Sequence, residues 1–89
     1  MKVFKYKIEI QDYIYLSLPK GAQILSAQEQ FQMVCIWALV DPDAILEMRC
    51  FRLAGTGHEI AEPQERLRFI GTFQMHGGVL VFHLFELSQ

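Results

Sequence analysis

Apolar and polar side chains alternate with a period of two along almost the whole chain, and no segment carries a convincing helical stripe. In "FKYKIEI" the apolar residues are Phe4, Tyr6, Ile8 and Ile10, with Lys5, Lys7 and Glu9 between them. "IYLSL" repeats the pattern with Ile14, Leu16 and Leu18. Such alternation reads as strands with one buried face. As a hairpin, these two strands keep their apolar faces together through a three-residue loop, Gln11 to Tyr13. That loop sets Ile10 against Ile14, Ile8 against Leu16 and Tyr6 against Leu18. Pro19 and Gly21 then turn the chain. "QILSAQ" and "MVCIWALV" predict two further strands joined around Glu29 to Gln32, the second apolar on both faces and so a central strand.

Asp41, Pro42 and Asp43 end that strand. In "ILEMRCFRL" the inward set reads Leu46 and Met48, then Phe51 and Leu53, and this change of parity predicts a β-bulge near Cys50. "AGTGHEIAEPQER" is the one long irregular stretch, with Pro63 opening a single helical turn over Gln64 to Arg66. "LRFIGTFQM" and "VLVFHLFEL" supply the last two strands. Seven short strands in 89 residues predict an all-β single domain, residues 1–89, built as a compact antiparallel β-sandwich or a half-open barrel.

The register of the last hairpin decides what its histidines can do. A two-residue turn at Gly77-Gly78, of type I′ or II′, pairs His76 with Val79 and Met75 with Leu80. One face then carries Phe73/Phe82 and Gly71/Leu84, with Gly71 leaving room for Leu84. The other carries Gln74/Val81, Thr72/His83 and Ile70/Phe85. His76 and His83 share that second face but stand roughly 13 Å apart at ~3.3 Å per residue. Two ligands of one zinc ion, each at ~2.0–2.1 Å, must lie far closer, so no metal site is expected here. His83 is placed to hydrogen-bond across to Thr72.

Gly55, Thr56, Gly57 and His58 form a second candidate. Free backbone N–H groups, a hydroxyl and an imidazole together can cradle an anion, and His76 is the further residue assigned to such a ligand site. No Lys-Ser or Lys-Thr follows, so this is not a Walker loop. The alternative is that both glycines let the chain leave a strand through left-handed conformations. Asp41 and Asp43 read as turn acids, and Glu59, Glu62 and Glu65 as a solvated loop. Ser17, Ser26 and Ser88 lie in no nucleophile motif, and no catalytic residue or cofactor is assigned.

Composition narrows the classes. The net charge of −2 and the interleaving of Lys and Arg with acids give no electrostatic case for DNA or RNA. No apolar run approaches the ~18 residues that span a membrane, and "MKVFKYKIEI" lacks a signal-peptide core. Cys35 and Cys50 are therefore expected as reduced thiols in the cytoplasm. The hydrophobic fraction of 52% exceeds the usual ~45–50%, which either compensates for small size or marks a surface for a partner.

"FKYKIEI", "LPKGAQIL", "IWALVDPDA", "FRLAGTGHEI" and "FIGTFQMHGGVLVFHLFE", in this order, resemble a family of short uncharacterised proteins encoded by bacteriophages and prophages. The resemblance covers nearly the whole chain and implies context only: a bacterial host's cytoplasm, or an accessory part of the virion. That context favours a non-enzymatic interaction protein, self-associating as a homo-oligomer (a dimer) and binding a host or phage protein, with counter-defence as one use. Tyr13, Tyr15, Gln74, His76 and His83 are the expected contact residues. The alternative is a small-ligand binder, taking a phosphate-bearing nucleotide signal at the Gly55 to His58 loop.

Overall fold

The computed structural model describes residues 1–88. The strands are β1 (Lys2–Ile8), β2 (Tyr13–Pro19), β3 (Gln23–Gln30), β4 (Met33–Val40), β5 (Leu46–Gly55), β6 (Leu67–Met75) and β7 (Leu80–Leu87). They form two antiparallel sheets, one of three strands in the order β1-β4-β3 and one of four in the order β2-β5-β7-β6. No ladder joins the two sheets among the described residues, so the fold is a β-sandwich and not a closed barrel.

Alternation placed the faces correctly more often than it placed the partners. Ile8, Ile14 and Leu18 all point into the core, together with Val34, Ile36, Ala38 and Val40 of β4 and Phe51 and Leu53 of β5. Leu18, Ile36, Phe51 and Leu84 are fully enclosed. Burying a side chain of that size stabilises by about 1.5–3 kcal/mol, so this inner layer carries most of the favourable energy. Cys35 is buried and Cys50 half-buried, both as free thiols.

β1 and β2 do not form a hairpin. β1 pairs with β4, Ile8 opposite Val34, while β2 pairs with β5, Ile14 opposite Phe51. The intervening Glu9–Asp12 segment crosses from one sheet to the other, so both apolar faces meet in the core without a shared ladder. The expected pairs Ile10/Ile14, Ile8/Leu16 and Tyr6/Leu18 are therefore absent.

The bulge expected near Cys50 is also absent. β5 keeps one register with β2 and with β7 straight through Cys50. Leu46 and Met48 face outward instead, 65% and 57% exposed, which removes the apparent change of parity. The register shifts lie elsewhere, between Ile24 and Ser26 in β3 and between Phe69 and Gly71 in β6.

β4 is the central strand of its sheet, as its apolar composition requires. The β3–β4 connection turns at Phe31 and Gln32, both with left-handed φ (52° and 64°), a conformation uncommon for side chains other than Asn, Asp and Gly. The Glu29 carboxylate accepts from the Gln32 N–H and steadies it. In the last hairpin, Met75/Leu80, Gln74/Val81, Phe73/Phe82, Thr72/His83 and Gly71/Leu84 pair as the sequence predicts. Beyond the irregularity at Ile70 it is Phe69 that opposes Phe85, the rings meeting edge-on at 5.6 Å. Gly77 (φ 66°, ψ 23°) and Gly78 (φ 94°) make a type I′ turn closed by the Val79 N–H on the His76 carbonyl. His76 and Val79 leave the ladder, His76 with a left-handed φ of 52°. The side-chain position of Gly71 faces the Ala27 backbone of β3, where a Cβ would lie 3.5 Å from the carbonyl oxygen, and not Leu84.

Candidate functional site

Residues of the four-stranded sheet alternate between the core and an outer face. On the outer face the ladders align Tyr13, Arg52, Phe85 and Phe69 in one row and Tyr15, Cys50, Leu87 and Leu67 in the next. Beside them lie Met48 and Leu46 on one flank and Ala54, His83 and Thr72 on the other.

Arg52 is the one charged residue buried among the described residues, at 6% exposure, although it points away from the core. The loop after β5 folds back over it. Arg52 Nη2 donates to the Glu59 carbonyl at 2.9 Å, and Nη1 donates to the carbonyls of Leu53 and, at 3.4 Å, Asp12. Tyr13 lies under the guanidinium, 5.1 Å from ring centroid to Cζ, within range of a cation–π contact. The Tyr13 hydroxyl donates to Glu62 Oε2 at 2.5 Å. Glu62 Oε1 stands 3.4 Å from Arg52 Nε, an ion pair in which neither of those two atoms completes a hydrogen bond. The Tyr13 hydrogen bond, aided by Arg52, holds the Glu62 carboxyl below the usual carboxylate range. The same bond pushes the Tyr13 hydroxyl above the usual tyrosine range.

Glu62 was expected in a solvated loop. Its side chain is instead 11% exposed, because Arg52 draws it onto the sheet. The signal for this was a lone arginine in the apolar run "CFRLAG" followed by three acids. Glu59 and Glu65 remain exposed. A 3₁₀ turn at Gln64–Arg66 follows Pro63, as predicted, and the Ser88 N–H bonds the Arg66 carbonyl at 2.9 Å.

His83 sits between two hydroxyls. Its Nδ1 is 2.9 Å from Thr72 Oγ1, the expected cross-strand contact, and its Nε2 is 2.7 Å from Thr56 Oγ1. A neutral imidazole donates to one threonine and accepts from the other, so the ring fastens the Gly55–His58 turn to the outer face.

Within that turn, the Thr56 N–H donates to the Val81 carbonyl at 3.2 Å and the His58 N–H to the Gly55 carbonyl at 3.1 Å. Gly57 has the left-handed φ expected, 86°. Gly55 does not; it remains in β5 opposite Phe82, and a Cβ there would come within 2.9 Å of the His58 ring. The glycine makes room for an imidazole packed on the backbone. A depression of about 250 Å³ adjoins Gly55, Thr56 and His58. His76 lies in a different one with Gln74, Glu29 and Gln32, so the structure divides the five residues assigned to a ligand between two places.

At the opposite end Arg49, half-buried, makes a two-pronged bond to Glu86 at 2.6 and 2.7 Å and donates to the Ala22 carbonyl. Arg49 and Glu86 both line a groove of about 410 Å³. No cluster of three or more His, Cys, Asp or Glu among the described residues is placed to hold a metal ion. No helix among them is long and apolar enough to cross a membrane.

Of the expected contact residues, Tyr13, Tyr15, Gln74 and His83 share the outer face, while His76 stands at the hairpin tip. Sequence reasoning missed Leu46 and Met48 on that face because they read as inward, and Phe69 because the shift at Ile70 sets it opposite Phe85; each is more than half exposed. It also missed Phe31, 87% exposed at a strained turn, and Val79, 80% exposed in the last hairpin loop.

No curated protein and no solved structure matches the chain. A family model described as "Domain of unknown function (DUF7352)" matches residues 1–89, and the chain belongs to that family.

Proposed function

We propose that the protein is a non-enzymatic interaction module that self-associates and binds a host or phage protein through the outer face of its four-stranded sheet. The observation that carries this reading is a patch of large apolar side chains left uncovered on β2 and β5, where Tyr15, Leu46 and Met48 are 64%, 65% and 57% exposed, with Phe69 on β6 59% exposed further along the same face. A chain of 89 residues needs its apolar groups for its core, and the neighbouring exposed side chains Tyr15, Met48 and Leu46 mark a contact surface. Aromatic and Met side chains are the types that interfaces favour. The bacteriophage setting, with a counter-defence use, rests on the sequence resemblance alone.

A small-ligand reading at Gly55–His58 has the adjoining depression in its favour. Against it, the N–H groups of Thr56 and His58 already serve carbonyls of the chain, which leaves few donors for an anion. The two readings separate in one capture experiment from phage-infected host lysate. Tyr15→Glu with Met48→Glu is expected to abolish capture of a specific protein, while His58→Ala leaves it unchanged. Capture lost only in His58→Ala, or a nucleotide-dependent rise in Tm lost in that variant, would reverse the ranking.

A further inference from the structure

The four sheet edges are guarded unequally. β3 and β6 run alongside one another, so close that a Cβ on Gly71 would lie 3.5 Å from the Ala27 carbonyl oxygen, and each shields the other. β1 carries Lys2, Lys5 and Lys7, the kind of charged side chains with which natural edges resist pairing. β2 has neither protection. "YIYLSLP" is an edge strand of seven residues without one charge, and a groove of about 320 Å³ lies between it and the end of β1. Two bonds bracket its ladder with β5: Leu53 N–H to the Asp12 carbonyl at 3.0 Å, and Lys20 N–H to the Ile45 carbonyl at 2.7 Å. Antiparallel ladders alternate, so the even-numbered residues of β2 bond to β5. Tyr13, Tyr15 and Ser17 therefore turn their N–H and C=O groups to the open edge.

We infer that β2 pairs antiparallel with β2 of a second copy of this chain, about a two-fold axis at Leu16, joining two four-stranded sheets into one of eight. This deepens the reading above and rests on its self-association component. Tyr15 then opposes Ser17 of the second copy, and Tyr13 opposes Pro19, which lacks an N–H but keeps its carbonyl. Charge selects the register. Asp12 and Lys20, both exposed, flank the strand. The Asp12 carboxylate, 3.7 Å from Arg52 Nη1 of its own chain but 82% exposed, stays open to a second cation, and an axis at Leu16 sets each Asp12 opposite Lys20 of the second copy. Moving the axis by one residue along the strand, to Tyr15 or Ser17, sets Asp12 opposite Leu18 or Ala22 and forfeits both opposite-charge pairs. The joint also brings the exposed patch of Tyr15, Met48 and Leu46 on one copy beside the same patch on the next, as an isologous contact requires.

Sedimentation equilibrium at micromolar concentration tests this. The wild-type chain is expected to be a dimer. Asp12→Lys and Lys20→Asp should each weaken it by about tenfold or more, since each reversal places like charges at both ends of the joint. The double variant Asp12→Lys/Lys20→Asp should restore it. Ser17→Pro, which removes an outward N–H without touching the β5 ladder, should also weaken it, with the monomer's melting unchanged. A dimer indifferent to the reversals and to Ser17→Pro would overturn the β2 joint while leaving self-association standing. A monomer throughout would overturn both, and the uncovered face would then have to be tested against a partner of another sequence.

Discussion

Phe51 and Arg52 are consecutive on β5 and almost equally buried, at 0% and 6% exposure, yet they are buried by opposite means. Phe51 is covered by the other sheet, in a contact that is non-directional and scales with apolar area. Arg52 is covered by a loop of its own chain, held there by bonds to Glu59, Leu53 and Asp12 and by the ion pair to Glu62. The first kind of burial tolerates small shifts. The second depends on angles, on charge and therefore on pH, so the two faces of one sheet should fail under different insults.

The largest effect is expected on the inner face. Phe51→Ala should cost about 3–5 kcal/mol, a large share of the ~5–15 kcal/mol that holds a typical domain folded. Urea denaturation measures it, and a loss below about 1 kcal/mol would mean that the two sheets do not close over this ring.

Arg52→Ala comes next, at about 3 kcal/mol, because it strands a drawn-in carboxylate and takes a donor from the carbonyls of Glu59, Leu53 and Asp12. A second variant separates the charge from the backbone hydrogen bonds. Arg52→Met combined with Glu62→Gln keeps the volume and removes both charges, and it should recover most of the loss. If it recovers nothing, the arginine acts through its backbone hydrogen bonds and not through the ion pair.

This contrast also marks what the chain discloses about itself. A period of two tells which face a residue takes, so Ile14, Leu18, Phe51 and Leu53 were legible, and the Gly77-Gly78 turn fixed five pairs of the last hairpin. The same period says nothing about partners, so β1 and β2, each alternating well, read as a hairpin although they belong to different sheets. An apolar residue at an uncovered position looks like a core residue, which is how Leu46 and Met48 suggested a bulge that does not exist. Of the site, the Thr72–His83 contact followed from register alone. Arg52–Glu62 did not, since it depends on the path of an irregular loop that no periodicity encodes.

The pH dependence separates the faces further. Glu62 has its carboxyl held below the usual range in the folded chain, so its contribution is present above the usual carboxylate pKa. It is lost as pH falls through the lowered folded value. Tyr13, pushed upward, works in the opposite sense: its contribution is whole below the usual tyrosine pKa and is lost as pH rises through the raised value. Tm should therefore fall at both ends of the range, and Glu62→Gln should flatten the acid limb without changing the response to Phe51→Ala. An acid limb identical in wild type and variant would assign the titration to other carboxylates.

The smallest effect on folding is expected at Tyr15, next to Tyr13 on the same face of β2 but outside the Arg52 network. Its ring is 64% exposed and no part of the loop covers it. Tyr15→Ser should move Tm by no more than about 3 °C, the response of a surface position without a special role. The outer face would then consist of two zones: a strapped one around Arg52 that stabilises the fold, and an open one around Tyr15, Met48 and Leu46 that the fold does not need. A large drop in Tm would erase that division, because Tyr15 would then be holding the sheet together and its exposure would no longer argue for a partner. Little change in Tm together with loss of capture or of dimer would leave recognition as the reason for a tyrosine at this position.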